Sequence, residues 1–253
     1  TVTVDASDSS EQGTSFSWRS AAVAQLVGYG TVAHTSFASA FHDGYSRLAD
    51  PVRHHRTILR FDRHYWIMLD TLVAAATHDL SLTLQCAEGS VLAQRTPQAF
   101  DVTAGDTLVR IALDPGLTAS IESRLISPAY ALEVPAPAIV ASGRSVATAT
   151  FCTAIAADDE AGTIEVQHVV PNVWRVSHST GFDLIARPTG ASIALGPAQF
   201  DGTVVAVLGG HSPSMVVAAG AGTLHLAGRA FTLGADDIHV ARLAPDGTWT
   251  MES

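Results

Sequence analysis

Residues 41–61, FHDGYSRLADPVRHHRTILRF, concentrate side chains that can do chemistry. The stretch holds three histidines, four arginines and a tyrosine, in a chain otherwise rich in small and aliphatic residues. Three kinds of chemistry come into question: proton transfer by histidine or tyrosine, metal binding by histidine and aspartate, and anion recognition by arginine. The spacing of these residues is the first test of each.

Histidines in and after this stretch lack the spacing of a metal site. The candidate ligands are His42, His54, His55, His64, Asp70 and His78. Consecutive side chains on a strand leave opposite faces, so His54 and His55 cannot easily bind one ion, and no His-x-His pair is present. We therefore predict no metal ligand in this chain, and favour the histidines as polar partners on half-exposed strands.

Other catalytic signatures are absent. The chain has no G-x-S-x-G nucleophile elbow and no phosphate-binding loop, and the glycine-rich AAGAG at 218–222 predicts a β-turn. A carboxylate pair for glycosidic hydrolysis remains open, although nothing singles one out. Asp70 interrupts an apolar strand, which predicts a fixed partner such as a nearby arginine or backbone N–H.

Arginines give the strongest functional signal. Between His42 and His64 lie five arginines and three aspartates, a local excess of positive charge in a chain of net charge −10. The planar guanidinium binds carboxylate or sulfate in a bidentate manner, which favours contact with an acidic small molecule or polysaccharide. Pairing of these arginines with nearby aspartates on an exposed sheet explains the pattern equally well.

Composition limits the other functions. All 14 basic residues are arginine, and the acidic balance argues against sequence-independent nucleic-acid binding. No apolar run is long enough to span a membrane. Cys86 and Cys152 could pair or stay as free thiols. Because the chain opens on TVTVD without a methionine, we expect a piece of a longer protein.

Strand patterns dominate the chain. Short alternating runs end at Gly, Pro, Asp or Asn, and 56–72 predicts a hairpin. The best helix candidate, 20–28, is equally compatible with a strand. We predict an all-β fold: an antiparallel β-sandwich of the supersandwich kind over 1–160, with a smaller C-terminal β-sheet region over 161–253.

An ordered set of segments resembles the C-terminal sandwich of the heparinase II/III-like polysaccharide lyases. The set is TVTVD (1–5), SEQGTSFSW (10–18), FHDGYSRL (41–48), PVRHHRTILRFDRHYWIMLDTL (51–72) and His78. The H-x-G-Y pattern, followed by H-x-R-x-I and an apolar strand that ends in Asp, is its most specific part. The resemblance covers residues 1 to about 90.

The resemblance implies a parent protein that pairs an N-terminal α/α toroid with this sandwich. Such proteins cleave uronic-acid polysaccharides by β-elimination, with tyrosine and histidine as base and acid. The catalytic residues, and the ligands of a zinc or calcium ion, would precede residue 1. We therefore expect no catalytic residue and no cofactor in this chain, which would be inactive alone, and a periplasmic or secreted parent.

From the resemblance we expect His42, Tyr45, His54 and Arg56 to line or buttress the sandwich side of a substrate cleft. The expected partners are an acidic polysaccharide and the toroid, with no nucleic acid and no membrane. A second interpretation remains open: a non-catalytic domain that binds anionic glycans or has a structural role.

Overall fold

The structure is a computed structural model that describes residues 1–15, 17–61, 65–157 and 162–252. Regular structure in these ranges consists of β-strands, which confirms the all-β prediction. Within the same ranges, no helix has the length and apolarity that a membrane crossing requires.

The described residues form 25 strands. In chain order they are β1 (Val2–Val4), β2 (Glu11–Thr14), β3 (Ser17–Ser20), β4 (Ala24–Val32), β5 (Thr35–Tyr45), β6 (Val52–Phe61), β7 (Tyr65–Val73), β8 (Thr77–Gln85), β9 (Val91–Thr96), β10 (Ala99–Ala104), β11 (Thr107–Leu113), β12 (Thr118–Ala129), β13 (Leu132–Val146), β14 (Ala149–Ala157), β15 (Glu165–Val170), β16 (Val173–His178), β17 (Gly181–Ala186), β18 (Ile193–Leu195), β19 (Ala198–Phe200), β20 (Val204–Leu208), β21 (Met215–Ala219), β22 (Gly222–Leu226), β23 (Arg229–Leu233), β24 (Ile238–Leu243) and β25 (Trp249–Glu252).

Four antiparallel sheets and one ribbon contain these strands. The first sheet has the order β1-β8-β13-β12, and the second has the order β4-β5-β6-β7-β14-β11-β10-β9. The third is β15-β16-β17-β20-β21-β24-β25, and the fourth is β18-β19-β22-β23. Strands β2 and β3 form a separate two-stranded ribbon. The predicted antiparallel sandwich is confirmed.

The four sheets pack against one another through three apolar cores. The first core joins Leu82 of the first sheet to Leu72 of the second. The next joins Leu59 of the second sheet to buried strands of the third, and the last lies between the third and fourth sheets. The sheets therefore stack in numerical order, and the second sheet has a neighbour on each face. Cys86 and Cys152 are both free thiols.

The third and fourth sheets correspond to the predicted C-terminal region. The third sheet shares a core with the second, so apolar burial is continuous across the predicted division. The boundary at 160/161 falls next to residues outside the described ranges, and the division stays a prediction.

Strand β6 has the predicted alternation. Thr57, Leu59 and Phe61 are buried toward the third sheet, whereas Ile58 and Arg60 are exposed. Strand β6 pairs with β7 as the predicted hairpin requires. The turn predicted between them falls on residues 62–64, which lie outside the described ranges.

The helix candidate at 20–28 is not a helix: residues 24–28 belong to β4, which pairs with β5 along the edge of the second sheet. The third sheet also packs closely on this edge. A Cβ at Gly28 would lie 1.9 Å from the backbone oxygen of Ala235. Asp236 accepts a hydrogen bond from the Tyr29 N–H at 3.1 Å. These tertiary contacts decide between two local conformations that the sequence leaves open.

Candidate functional site

Three of the four predicted site residues line one pocket. His42 on β5 lies opposite His54 on β6, and Arg56 follows two residues later on the same face of the second sheet. The pocket has a volume of about 270 Å³. Its lining residues are Thr1, Val2, Ser9, Ala24, Ala40, Phe41, His42, His54 and Arg56.

A directed chain of hydrogen bonds runs behind the pocket wall. The Gly44 N–H donates to His42 Nδ1 at 3.2 Å, so the proton of a neutral His42 lies on Nε2. His42 Nε2 then donates to His54 Nδ1 at 3.0 Å. His54 in turn carries its proton on Nε2, which donates to Asp70 Oδ1 at 2.7 Å. Each ring nitrogen of His42 and His54 therefore has a hydrogen-bond partner.

Arg56 is the last member of this hydrogen-bond chain, and it donates to Asp70. Its Nε donates to Asp70 Oδ1 at 2.7 Å, and its Nη2 donates to Oδ2 at 3.1 Å. This bidentate pair is the fixed partner predicted for Asp70. The Arg56 side chain is 29% exposed, and its Nη1 forms no hydrogen bond with the described residues. Arg56 therefore presents an oriented donor group to the pocket.

The surroundings of Asp70 and His42 in this hydrogen-bond chain keep Asp70 charged and His42 neutral. Burial opposes ionisation of Asp70, but the hydrogen bond from His54 and the positive charge of Arg56 outweigh it and lower the pKa of Asp70. Burial is the main cause that lowers the pKa of His42, and the neighbouring His54 and the guanidinium of Arg56 add to it. A neutral His42 is the form that can accept from Gly44.

Tyr45 lies behind the pocket rather than in it. Its side chain is fully buried in the first core, and its hydroxyl donates to the carbonyl oxygen of Val2. Burial raises the pKa of Tyr45 to about 12. Tyr45 can therefore buttress the pocket, but it cannot touch a ligand there. The predicted role of the four residues in substrate binding stays a prediction.

A sequence profile of the family described as "Heparinase II/III-like, C-terminal" matches residues 1–192. The chain belongs to the heparinase II/III-like C-terminal family. The match extends well beyond the first 90 residues that carried the resemblance, and makes the chain a domain related to polysaccharide lyases. A comparison with curated protein sequences found no match.

Solved structures share the fold of this heparinase II/III-like domain. The crystal structure of heparan sulfate lyase HepC from Pedobacter heparinus is 18% identical, with a TM-score of 0.55 over 64% of this chain. The structure of the "Heparinase III-BT4657 gene product" is 13% identical, with a TM-score of 0.53 over 64% of this chain. The match covers 27% of each of those chains.

The heparinase II/III-like family raises the question of a metal ion, and the pocket residues do not fit one. Both ring nitrogens of His42 and of His54 are engaged, and both oxygens of Asp70 accept hydrogen bonds from Arg56 or His54. In the described part of the chain, no group of three or more His, Cys, Asp or Glu residues is arranged to hold a metal.

Two basic residues of the opening stretch face away from the pocket. The Arg53 guanidinium lies 4.9 Å from the centre of the Phe41 ring, and the His55 ring centre lies 5.1 Å from that of Phe41. Burial, with the charges of Arg187 and Arg53, lowers the pKa of His55 to about 4. Arg53 and His55 are separated from the pocket residues His54 and Arg56 because strand residues alternate between faces.

Sequence reasoning missed two buried aspartates that join the second and third sheets. Asp114 accepts hydrogen bonds from Trp174 Nε1 at 2.8 Å and from His168 Nε2 at 2.9 Å. Asp183 accepts from the Tyr65 hydroxyl at 2.5 Å and from the Gly209 N–H at 2.9 Å. Asp114 precedes Pro115, so its local sequence indicates only a turn; its partners on the third sheet lie far along the chain.

His78, a metal-ligand candidate, instead links two aspartates. Its Nδ1 lies 2.7 Å from Asp5 and its Nε2 lies 2.8 Å from Asp50. The hydrogen bonds that His78 donates to these two carboxylates raise the pKa of His78, and they lower the pKa values of Asp5 and Asp50. His78 therefore acts as an imidazolium clamp, with a structural role.

Proposed function

We propose that this chain is the C-terminal β-sandwich part of a lyase that cleaves uronic-acid-containing polysaccharides by β-elimination. Within that enzyme, its role is to bind the acidic sugar chain rather than to move protons. Family membership supports the reaction class. The observation that carries the binding role is the hydrogen-bond chain from Gly44 through two histidines and Asp70 to Arg56.

Arg56 is suited to bind a carboxylate. Asp70 occupies its Nε and one hydrogen of Nη2, which leaves Nη1 and the second Nη2 hydrogen for a ligand. A carboxylate or sulfate oxygen that enters the pocket would accept a charge-assisted hydrogen bond. Because Asp70 already holds the guanidinium, binding costs little further side-chain entropy. His54 and His42 are positioning residues, since they fix the carboxylate that fixes Arg56.

Proton transfer by these pocket residues is disfavoured by their hydrogen bonds. A general base needs a free lone pair within reach of the substrate, and the imidazole nitrogens of His42 and His54 are engaged. The Tyr45 hydroxyl is buried away from the pocket. We propose that base and acid come from an N-terminal α/α toroid, that the chain is inactive alone, and that any zinc or calcium belongs to the intact parent. The proposed compartment is periplasmic or extracellular.

The test combines activity with binding. The chain is incubated with heparin, heparan sulfate or alginate, and absorbance of unsaturated uronate is followed. We expect no elimination, but measurable binding by calorimetry that Arg56→Met abolishes. The matched control is Arg144→Met, since Arg144 is exposed on the first sheet and pairs with Asp79. Rapid elimination by the chain alone would overturn the division of roles, and equal binding by both variants would overturn the role of Arg56.

A second function, a non-catalytic domain that binds anionic glycans, is favoured by the same engaged imidazoles. The parent protein discriminates between the two. Elimination by the full-length parent that Arg56→Met weakens supports the lyase. Glycan binding by the parent without any elimination supports the binding domain.

A further inference from the structure

One half of a face of the second sheet is uncovered. The first sheet covers Val52, Leu72 and Met68 on this face, but the part of β4, β5 and β6 further from it is open. Leu26 is 61% exposed, Tyr29 is 62% exposed and Ile58 is 39% exposed. The opposite face of the same strands is buried against the third sheet. Neighbouring exposed apolar side chains on one sheet face indicate a binding surface.

Strand pairing places this uncovered face beside the pocket. The rows across β4 to β7 are Leu26–Ala40–Arg56–Asp70, Tyr29–Ala38–Ile58–Met68 and Thr31–Ser36–Arg60–Trp66. The pairing of β4 shifts register between Leu26 and Gly28, which puts Leu26 and Tyr29 on one face although they are three residues apart. The first row contains Arg56, so the surface begins at the pocket wall.

Arg60 is the second positive charge of this surface. It lies four residues after Arg56 on the same strand face, which separates their Cα atoms by about 13 Å at 3.3 Å per residue. Its side chain is exposed and forms no ion pair or hydrogen bond with the described residues. Asp70 is the acidic residue in these three rows, and it is buried and already paired. The exposed part of the rows therefore combines positive charge, apolar side chains and the hydroxyls of Thr31 and Ser36, and none of its described residues is an exposed carboxylate.

Two aromatic residues flank the cationic positions. Tyr29 lies in the row between those of Arg56 and Arg60, at the edge strand, and Trp66 lies directly opposite Arg60 on β7. Aromatic rings combine apolar contact with a polar group, which suits the apolar faces and hydroxyl groups of sugar rings.

We propose that this uncovered face, with Arg60, Tyr29 and Trp66, is a second anionic subsite that extends the Arg56 pocket. The occupant is an extended acidic polysaccharide chain, with one carboxylate or sulfate at Arg56 and another at Arg60. Charge complementarity is the reason for this occupant, because the face is locally cationic in a chain of net charge −10. The inference rests on the proposed glycan-binding function of Arg56.

The experiment compares ligand lengths. Affinities for a heparin disaccharide and a heparin decasaccharide are measured by calorimetry for the wild-type chain and the Arg56→Met, Arg60→Ala and Tyr29→Ala variants. Arg229→Ala is the matched control, because Arg229 is an exposed arginine on the fourth sheet. We expect Arg60→Ala to weaken decasaccharide binding roughly tenfold, about 1.4 kcal/mol, and to leave disaccharide binding unchanged. Tyr29→Ala follows the same pattern with a smaller loss.

Salt dependence gives a second readout. Binding of a polyanion releases counterions in proportion to the charges neutralised, so Arg60→Ala should reduce the slope of log affinity against log salt for the decasaccharide. Circular dichroism checks the fold of each variant, and Arg60→Gln replaces Arg60→Ala if that variant unfolds.

The outcomes separate the two proposals. If Arg56→Met weakens binding of both ligands while Arg60→Ala has no more effect than Arg229→Ala, the second subsite is wrong and the Arg56 pocket stands. Such a result would point to another part of the parent protein as the cover of this face. If the wild-type chain binds neither ligand, the glycan-binding function itself fails.

Discussion

Asp70 is the residue on which the pocket wall depends, and its removal tests the reasoning most directly. Asp70→Ala deletes the acceptor of the His54 Nε2–H and of two Arg56 donors. His54 is 5% exposed, so water cannot replace its lost partner. Breaking a buried ion pair from one side typically costs about 3 to 5 kcal/mol. Because Arg56 is partly exposed and regains some hydration, we expect about 3 kcal/mol, the lower end of that range.

Urea unfolding followed by circular dichroism measures this loss. The matched control is Asp79→Ala, which removes a carboxylate from an ion pair with Arg144 whose side chains are 74% and 73% exposed. We expect the control to lie within about 0.5 kcal/mol of wild type. Glycan binding by Asp70→Ala should fall as well, since Arg56 loses its anchor.

Two further measurements complete the Asp70 test. The double variant Asp70→Ala/Arg56→Met should be more stable than the sum of the single losses predicts, by about 1 kcal/mol or more, because the two residues share one interaction. The pKa of Asp70 is lowered from 3.8, so its stabilisation is present above that pH and is lost as the pH falls through the folded-state pKa. A single-variant loss below about 1 kcal/mol, or strict additivity, would refute the buried-pair argument.

Three other positions give independent tests of the structure. His78 has a raised pKa, so its stabilisation is present below pH 6.5 and is lost as the pH rises through its folded-state pKa; His78→Gln should abolish that pH dependence in urea unfolding, and a variant that retains it would contradict the clamp. Trp174→Phe removes a hydrogen bond to the buried carboxylate of Asp114 and should cost about 1.5 to 3 kcal/mol, with a loss under 0.5 kcal/mol in calorimetric melting as the contrary result. Gly28→Ala should lower the melting temperature measurably, because its Cβ would meet the backbone oxygen of Ala235; an unchanged melting temperature would show that this packing gives way easily.

The strands of this protein follow from local sequence to a large extent. Thr57, Leu59 and Phe61 alternate with exposed residues along β6, and a period of two in hydrophobicity is enough to predict a strand with one buried face. The ordered segments around residues 41–72 were also sufficient to indicate the family. Asp70 could be assigned a fixed partner because a charge within an apolar strand requires one.

The layer order and the connections of the site depend on tertiary structure. No local pattern shows that β24 packs against β4, or that Gly28 is needed for the approach of Ala235. The partners of Asp114 come from a different sheet, so its turn sequence carries no trace of them. Such pairings are set by the stacking of distant strands, and a single sequence records each strand separately.

Residues 41–61 show both what the sequence determines and what it leaves to the tertiary structure. The sequence by itself determined that 56–72 forms a hairpin and that His54 and His55 leave their strand on opposite faces, because side chains on a strand alternate. Tertiary structure decided which face meets the pocket, that Tyr45 is buried, and that Arg60 is left open beyond the cover of the first sheet. The physical reason is that alternation depends on the backbone of one strand, whereas cover depends on how far a neighbouring sheet extends.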